Sequence, residues 1–129
     1  MDRRTASYKL TIIQKPTFLH AIITGLNTKE NVMSYLEEIR RECTVRGSSR
    51  VLIEERLEGP RLSPIDVFEI AEAGSSRALG SCRTIAYVDV NAETDLMKFA
   101  ETVATNRFLF VKVFSSVGAA EKWLMDSDL

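Results

Sequence analysis

Cysteine and histidine are scarce in this chain of 129 residues. The two cysteines, Cys43 and Cys82, lie far apart in the sequence, and the single histidine, His20, is close to neither of them. This spacing does not match a zinc site or a redox motif, and no other cofactor motif is present. We therefore expect no bound metal and no cofactor.

Long apolar runs and an excess of one charge are also missing. No run approaches the roughly 20 apolar residues that cross a bilayer, and the amino-terminal residues lack the apolar segment of a secretory signal. We therefore expect a cytoplasmic protein with reduced thiols and no transmembrane segment. The 17 basic and 18 acidic residues give a net charge of −1. Without a strong positive field, a nucleic-acid partner is not expected.

The composition is that of an ordinary globular domain, with 45% hydrophobic and 27% charged residues. Domains most often contain roughly 100–150 residues, which leaves no room for a second core in this chain. We predict a single domain over residues 1–129, with its core over residues 8–125.

Alternating patterns and short apolar runs predict five strands. They cover residues 8–13, 18–24, 51–53, 83–90 and 108–114. Pro16 falls between the first two strands, which is typical of the turn of a hairpin. The third strand is a continuous apolar run, as expected of a buried central strand, and a polar loop over residues 54–62 is predicted to follow it.

Apolar residues at helical spacing predict four helices. Asn27 or Thr28 is suited to begin the first helix, and Gly47 is suited to end it. Ser63 and Pro64 are predicted to be the N-cap and the first residue of the second helix. The fourth helix is predicted to begin at Ser115 and Ser116. The apolar stripes comprise Val32, Leu36, Ile39 and Cys43 in the first helix, Ile65, Phe68 and Ala71 in the second, Leu96, Phe99, Ala100 and Val103 in the third, and Ala120, Trp123 and Leu124 in the fourth.

These elements predict an α/β fold with the order β-β-α-β-α-β-α-β-α. Each β-α-β unit places its two strands parallel, and the opening hairpin adds an antiparallel strand, so the sheet is mixed with helices on its faces. The ends of such a sheet leave edge strands that can pair with a second copy of the chain. A homodimer is therefore one expected assembly.

The order of elements, and an ending over residues 111–124 that contains Ala120, Trp123 and Leu124, resemble the SpoIIAA-like branch of the STAS fold, a group of small bacterial proteins. The likeness spans roughly residues 8–125. The resemblance implies a regulatory or binding module rather than an enzyme. The expected partner is then another protein, or a small apolar or anionic ligand.

The same resemblance directs attention to Ser63. In the antagonists of anti-sigma factors within this fold, a serine at the start of the helix after the central strand is phosphorylated, usually within an Asp-Ser-Ser-Gly-like stretch. The matching residues run from Arg61 to Asp66 and lack the preceding Asp, the second Ser and the Gly. A phosphate on Ser63 would have Arg61 as an ionic partner. The alternative is that Ser63 is an ordinary N-cap.

Polar residues follow three of the predicted strands. They are Glu54, Glu55 and Glu58 after the third strand, Asp89 and Asn91 at the end of the fourth, and Ser115 and Ser116 after the fifth. Because the carboxyl ends of parallel strands meet at one edge, these residues are expected to form a rim that binds a ligand or partner. A further hypothesis is a small enzyme that uses the Glu54–Glu58 loop with His20 or Asp89.

Overall fold

The computed structural model describes residues 8–59, 62–77, 83–89 and 110–126. Within these residues the chain is a mixed α/β fold, as predicted. Its elements are β1 (Tyr8–Gln14), β2 (Leu19–Leu26), α1 (Lys29–Arg46), β3 (Arg50–Glu58), α2 (Pro64–Arg77), β4 (Thr84–Val88), β5 (Phe110–Phe114) and α3 (Val117–Asp126). The predicted helix over residues 96–103, and the site residues Arg61 and Asn91, lie outside the described residues.

The five strands form one sheet in the order β1-β2-β3-β4-β5. β1 pairs antiparallel with β2, whereas β2, β3, β4 and β5 run parallel to one another. The hairpin turn around Pro16 produces the antiparallel pair, whereas α1 and α2 return the chain to the same end of the sheet before β3 and β4. The mixed sheet predicted from the sequence is thereby confirmed, and the carboxyl ends of β2 to β5 lie at one edge.

Local capping interactions set both ends of α1. The Thr28 hydroxyl accepts a hydrogen bond from the backbone N–H of Asn31. Gly47 ends the helix in the left-handed conformation (φ +68°), which glycine adopts without steric cost. Of the two N-cap residues proposed from the sequence, Thr28 is therefore the one that caps the helix.

Apolar side chains cover both faces of the sheet, because successive residues of a strand point to opposite sides. On the first face, the strands pack against α1 and α2 through Tyr35, Ile39 and partly buried Ile70. On the second face, Ala120 and Leu124 of α3 pack against Leu52 and against residues of β4. Among the described residues, no helix is long and apolar enough to cross a membrane.

The prediction of a loop over residues 54–62 is wrong for residues 54–58, because β3 continues to Glu58. The register with β2 extends from Leu19–Val51 to Leu26–Glu58. Backbone pairing with a neighbouring strand does not depend on apolar side chains, so the polar residues extend the strand. This extension places Glu54 on the second face and Glu55 on the first.

Candidate functional site

The residues predicted to form a rim are distributed along the carboxyl half of the sheet. Glu58 lies at the end of β3, and Asp89 directly follows β4. Ser115 and Ser116 connect β5 to α3. Glu54 and Glu55 lie deeper, within β3, where they point to opposite faces. The structure therefore separates two neighbouring carboxylates that the sequence had placed together in a loop.

The first-face carboxylate belongs to a group that we call the tyrosine–carboxyl cluster: Tyr35, Glu55, Tyr87 and Asp89. Glu55 Oε2 accepts a hydrogen bond from the Tyr87 hydroxyl at 2.5 Å and another from the Tyr35 hydroxyl. The two hydroxyls also contact each other. Asp89 follows Val88, the register partner of Glu54, and its carboxyl group acts electrostatically on Glu55. The cluster joins α1 to β3 and to the end of β4.

Burial and charge alter the acidity of this cluster. Burial raises the pKa of Glu55, the two tyrosine hydroxyls lower it, and the negative charge of Asp89 raises it again, with a result of about 7. Burial also raises the pKa of Tyr35 and Tyr87 well above the ordinary value for tyrosine. Both tyrosines therefore keep their protons at neutral pH, and Glu55 is the member that titrates there.

A third tyrosine extends the cluster toward the edge strand. The rings of Tyr8 and Tyr35 meet edge to face, with centroids 6.2 Å apart and an angle of 70° between the planes. The Tyr8 hydroxyl donates to Glu38 of α1. Tyr8, Tyr35 and Tyr87 are the three tyrosines of the whole chain. The tyrosine absorbance of this protein therefore reports on this one region.

Our sequence reasoning did not identify the three tyrosines as functional residues. One signal was available for Tyr35, which is spaced between Val32 and Ile39 on the apolar stripe of the first helix. A tyrosine on a buried stripe needs a hydrogen-bond partner for its hydroxyl. No pattern in the sequence identifies Glu55 as that partner, because the contact depends on the strand register.

The second-face carboxylate, Glu54, is buried and binds two basic side chains. His20 Nε2 lies 2.8 Å from Glu54 Oε1, and Arg56 Nε donates to Glu54 Oε2 at 2.5 Å. Burial raises the pKa of Glu54, but the hydrogen bonds from His20 and Arg56 outweigh that effect and hold it below its ordinary value. Glu54 is thus ionised at neutral pH, and the bond requires the proton on His20 Nε2.

The hypothesis of a small enzyme combined the Glu54–Glu58 loop with His20 or Asp89, within hydrogen-bond reach of one another in a cleft. The structure brings His20 to Glu54 on the second face and Asp89 to Glu55 on the first. The sheet lies between the two pairs, so the four groups do not share one cleft. Among the described residues, no group of three or more His, Cys, Asp or Glu side chains is arranged to hold a metal ion.

Ser63 and Ser116, which the sequence predicts as helix caps, cap α2 and α3 in the structure. Ser63 Oγ accepts a hydrogen bond from the Asp66 N–H at 3.2 Å, and Ser116 Oγ accepts one from the Ala119 N–H at 3.2 Å. Both side chains are exposed. The N-cap interpretation of Ser63 is therefore confirmed.

Replacing Ser63 by Ala is expected to lower the free energy of unfolding by about 1 kcal/mol, because the Asp66 N–H loses its acceptor. Urea denaturation at pH 7 measures the change. The control is Ser63→Asp, which keeps a capping oxygen and should remain within about 0.5 kcal/mol of the natural protein. Equal losses in both variants would contradict a capping role.

Two large apolar side chains are exposed at the carboxyl edge: Leu26 is 53% exposed and Ile65 is 60% exposed. Leu26 ends β2, and the next residue, Asn27, donates its N–H to the Glu58 carbonyl at 2.7 Å. Ile65 lies one turn before Glu69, which binds Lys29 at the start of α1. These contacts place both residues where α1 and α2 begin. We call the exposed side chains of Leu26 and Ile65, together with the neighbouring helix cap Ser63, the apolar rim.

No protein-family model matches the sequence, and no curated protein is significantly similar to it. The class of the protein therefore comes from its fold and its side-chain contacts. Over the residues that the structure describes, it is a mixed α/β fold with one sheet, helices on both faces and an exposed apolar rim at the carboxyl edge.

Proposed function

We propose that this protein is a non-catalytic module that binds a protein partner through the apolar rim. The observation that carries the proposal is the exposure of Leu26 and Ile65, each more than half accessible, at the edge where two helices begin. Burying such side chains against a partner is favourable, and a few central apolar residues commonly dominate the affinity of an interface. The resemblance to the SpoIIAA-like branch of the STAS fold also favours a binding or regulatory role.

Contacts beside the rim support this proposal by linking the elements that carry it. The Asn27–Glu58 hydrogen bond ties the end of β2 to the end of β3, and the Lys29–Glu69 ion pair joins α1 to α2. A surface that is already ordered loses less conformational entropy when a partner binds. The backbone hydrogen bond orders the end of β2 next to Leu26, whereas the exposed ion pair is screened by water and contributes little.

A photo-reactive benzoylphenylalanine at position 65 is expected to cross-link one defined partner in cells that express the chain. The reason is that the side chain at this position would be buried in the interface. Mass spectrometry identifies the cross-linked product. A product of twice the chain mass would identify the partner as a second copy, and a different protein would identify a heterologous complex.

The matched control is Val45, which is 81% exposed and lies at the opposite end of α1. The same reagent at position 45 should not capture that partner. With the partner purified, Leu26→Asp and Ile65→Asp should each weaken binding by roughly tenfold or more, and Val45→Asp should not. Equal effects at all three positions would refute the apolar rim as the binding site.

A second candidate function is a phosphorylation switch at Ser63. The observation that favours it is that Ser63 is exposed at the beginning of α2, within two residues of Ile65. A phosphate there would meet the free N–H groups of the helix and would place negative charge beside the apolar contacts. Phosphate mapped to Ser63 in protein purified from expressing cells, with weaker partner binding, would support this switch.

A further inference from the structure

Within the tyrosine–carboxyl cluster, Tyr35, Tyr87 and Glu55 make three mutual contacts but supply only two protons when Glu55 is ionised. Two hydroxyls contact Glu55 Oε2, and the hydroxyls contact each other. Each tyrosine supplies one proton, and an ionised carboxylate supplies none. A proton on Glu55 would supply the third.

The groups around Glu55 offer no compensating positive charge in the described contacts. β2 contributes the apolar Ile23, which is the register partner of Glu55, and β4 is followed by the acidic Asp89. From α1 and β4 come two tyrosine hydroxyls that keep their protons. The surrounding elements thus favour an uncharged Glu55.

Two cations on the elements around Glu55 bind other carboxylates. Arg56 points to the second face and binds Glu54. On the first face, Lys29 of α1 binds Glu69 of α2, and α2 contributes the apolar Ile70 to the core. An added proton is then the simplest way to remove the repulsion between Glu55 and Asp89.

We propose that Glu55 carries its proton at neutral pH and is a pH switch, because losing the proton loosens the attachment of α1 to β3 and β4. The proton passes from Glu55 to water, and an ionised carboxylate remains beside Asp89. Asp89 lies just beyond the end of its strand, so repulsion acts on a residue that backbone pairing holds less firmly than Glu55. Tyr35, which bonds to Glu55, transmits the change to α1.

The test is a pH titration of the carboxyl carbons by NMR on the full chain labelled with ¹³C at Glu and Asp. Glu55 should titrate with a midpoint near 7. Asp89→Asn should lower the Glu55 midpoint by about one pH unit or more, because it removes a neighbouring negative charge. A Glu55 midpoint near 4.5, or an unchanged midpoint in Asp89→Asn, would overturn the proposal.

The tyrosines provide a second readout. Near-ultraviolet absorbance and circular dichroism should change with the same midpoint, because all three tyrosines belong to this region. Fluorescence of Trp123, which packs on the second face, should not follow this step. Glu58→Gln, an exposed change on the same strand, should keep the tyrosine transition, and Glu55→Gln should abolish it. A transition that persists in Glu55→Gln would exclude Glu55 as its source.

The change in α1 is measured separately by amide hydrogen exchange. After correction for the intrinsic effect of pH, protection of the amides around Tyr35 should decrease above the titration midpoint. Amides of α3, on the opposite face, should keep their protection. Loss of protection in both helices together would mean that the domain unfolds as a whole, and would contradict a local switch.

Discussion

Replacing Glu55 by Gln is expected to remove a loss of stability that the natural protein undergoes as pH rises. Burial and the neighbouring Asp89 raise the pKa of Glu55 from 4.5 to about 7, so the folded protein holds this proton more tightly than the unfolded chain. The associated stability is fully present below about pH 4.5 and is lost as pH rises through about 7. Between pH 5 and pH 8, the free energy of unfolding of the natural protein should fall by about 2–3 kcal/mol more than that of Glu55→Gln.

Urea denaturation of both proteins across this pH range measures the difference. The amide of Gln is uncharged at every pH and can still accept from the tyrosine hydroxyls, so it imitates the protonated carboxyl. Other titrating groups are the same in both proteins and largely cancel. Glu58→Gln is the control, because Glu58 is exposed on the same strand and should leave the pH dependence unchanged. Parallel stability curves for Glu55→Gln and the natural protein would refute the prediction.

Replacing Glu54 by Ala should lower the free energy of unfolding at pH 7 by about 2–4 kcal/mol. Glu54 and His20 are both buried, and the change leaves the His20 N–H without its acceptor. The pKa of Glu54 is lowered in the folded protein, so its contribution is present above about pH 4.5. It is lost as pH falls through the folded-state value, and the difference between the two proteins should shrink in acid.

Arg56→Ala is the matched control for this experiment. The Arg56 side chain is 63% exposed, so water and salt screen its ion pair with Glu54. Replacing Arg56 by Ala should therefore lower the free energy of unfolding by less than about 1 kcal/mol. The double variant His20→Leu with Glu54→Leu should be more stable than Glu54→Ala, because it removes both buried polar groups together. A larger effect of Arg56→Ala than of Glu54→Ala would show that burial does not determine the outcome.

The two carboxylates of β3 differ in chemistry although they are adjacent in the chain. Glu54 meets two basic groups and stays ionised at neutral pH, whereas Glu55 meets two neutral hydroxyls and another carboxylate. One strand therefore carries a structural ion pair on one face and a titrating group on the other. Because β3 lies between β2 and β4 at the centre of the sheet, both of its faces are buried over residues 51–54.

Local features were predictable wherever neighbouring residues in the chain determine the structure. The Pro16 turn, the Gly47 helix end and the Ser63 cap each depend on a few adjacent residues, and all three occur in the structure. The extension of β3 through Glu58 was not predictable from the same information. Its polar residues match a loop by composition, and only pairing with β2 makes them a strand.

The site was harder to predict than the fold because its contacts join distant parts of the chain. Tyr35 and Tyr87 are 52 residues apart, and Glu54 lies 34 residues from His20. The sequence shows which side chains are present, but it does not show which of them come into contact. A shift of one residue in the register of β3 would exchange the faces of Glu54 and Glu55.

The sequence alone determined the α/β class, the antiparallel hairpin, the Gly47 and Ser63 helix caps and the residues available for polar chemistry. These follow from short-range sterics, capping and apolar periodicity, which act within a few residues. Tertiary structure alone decided which carboxylate is ionised and which one holds a proton near neutral pH. That difference arises because strand alternation sends Glu54 to His20 and Glu55 to Tyr35, and each local environment then sets the acidity of its carboxyl group.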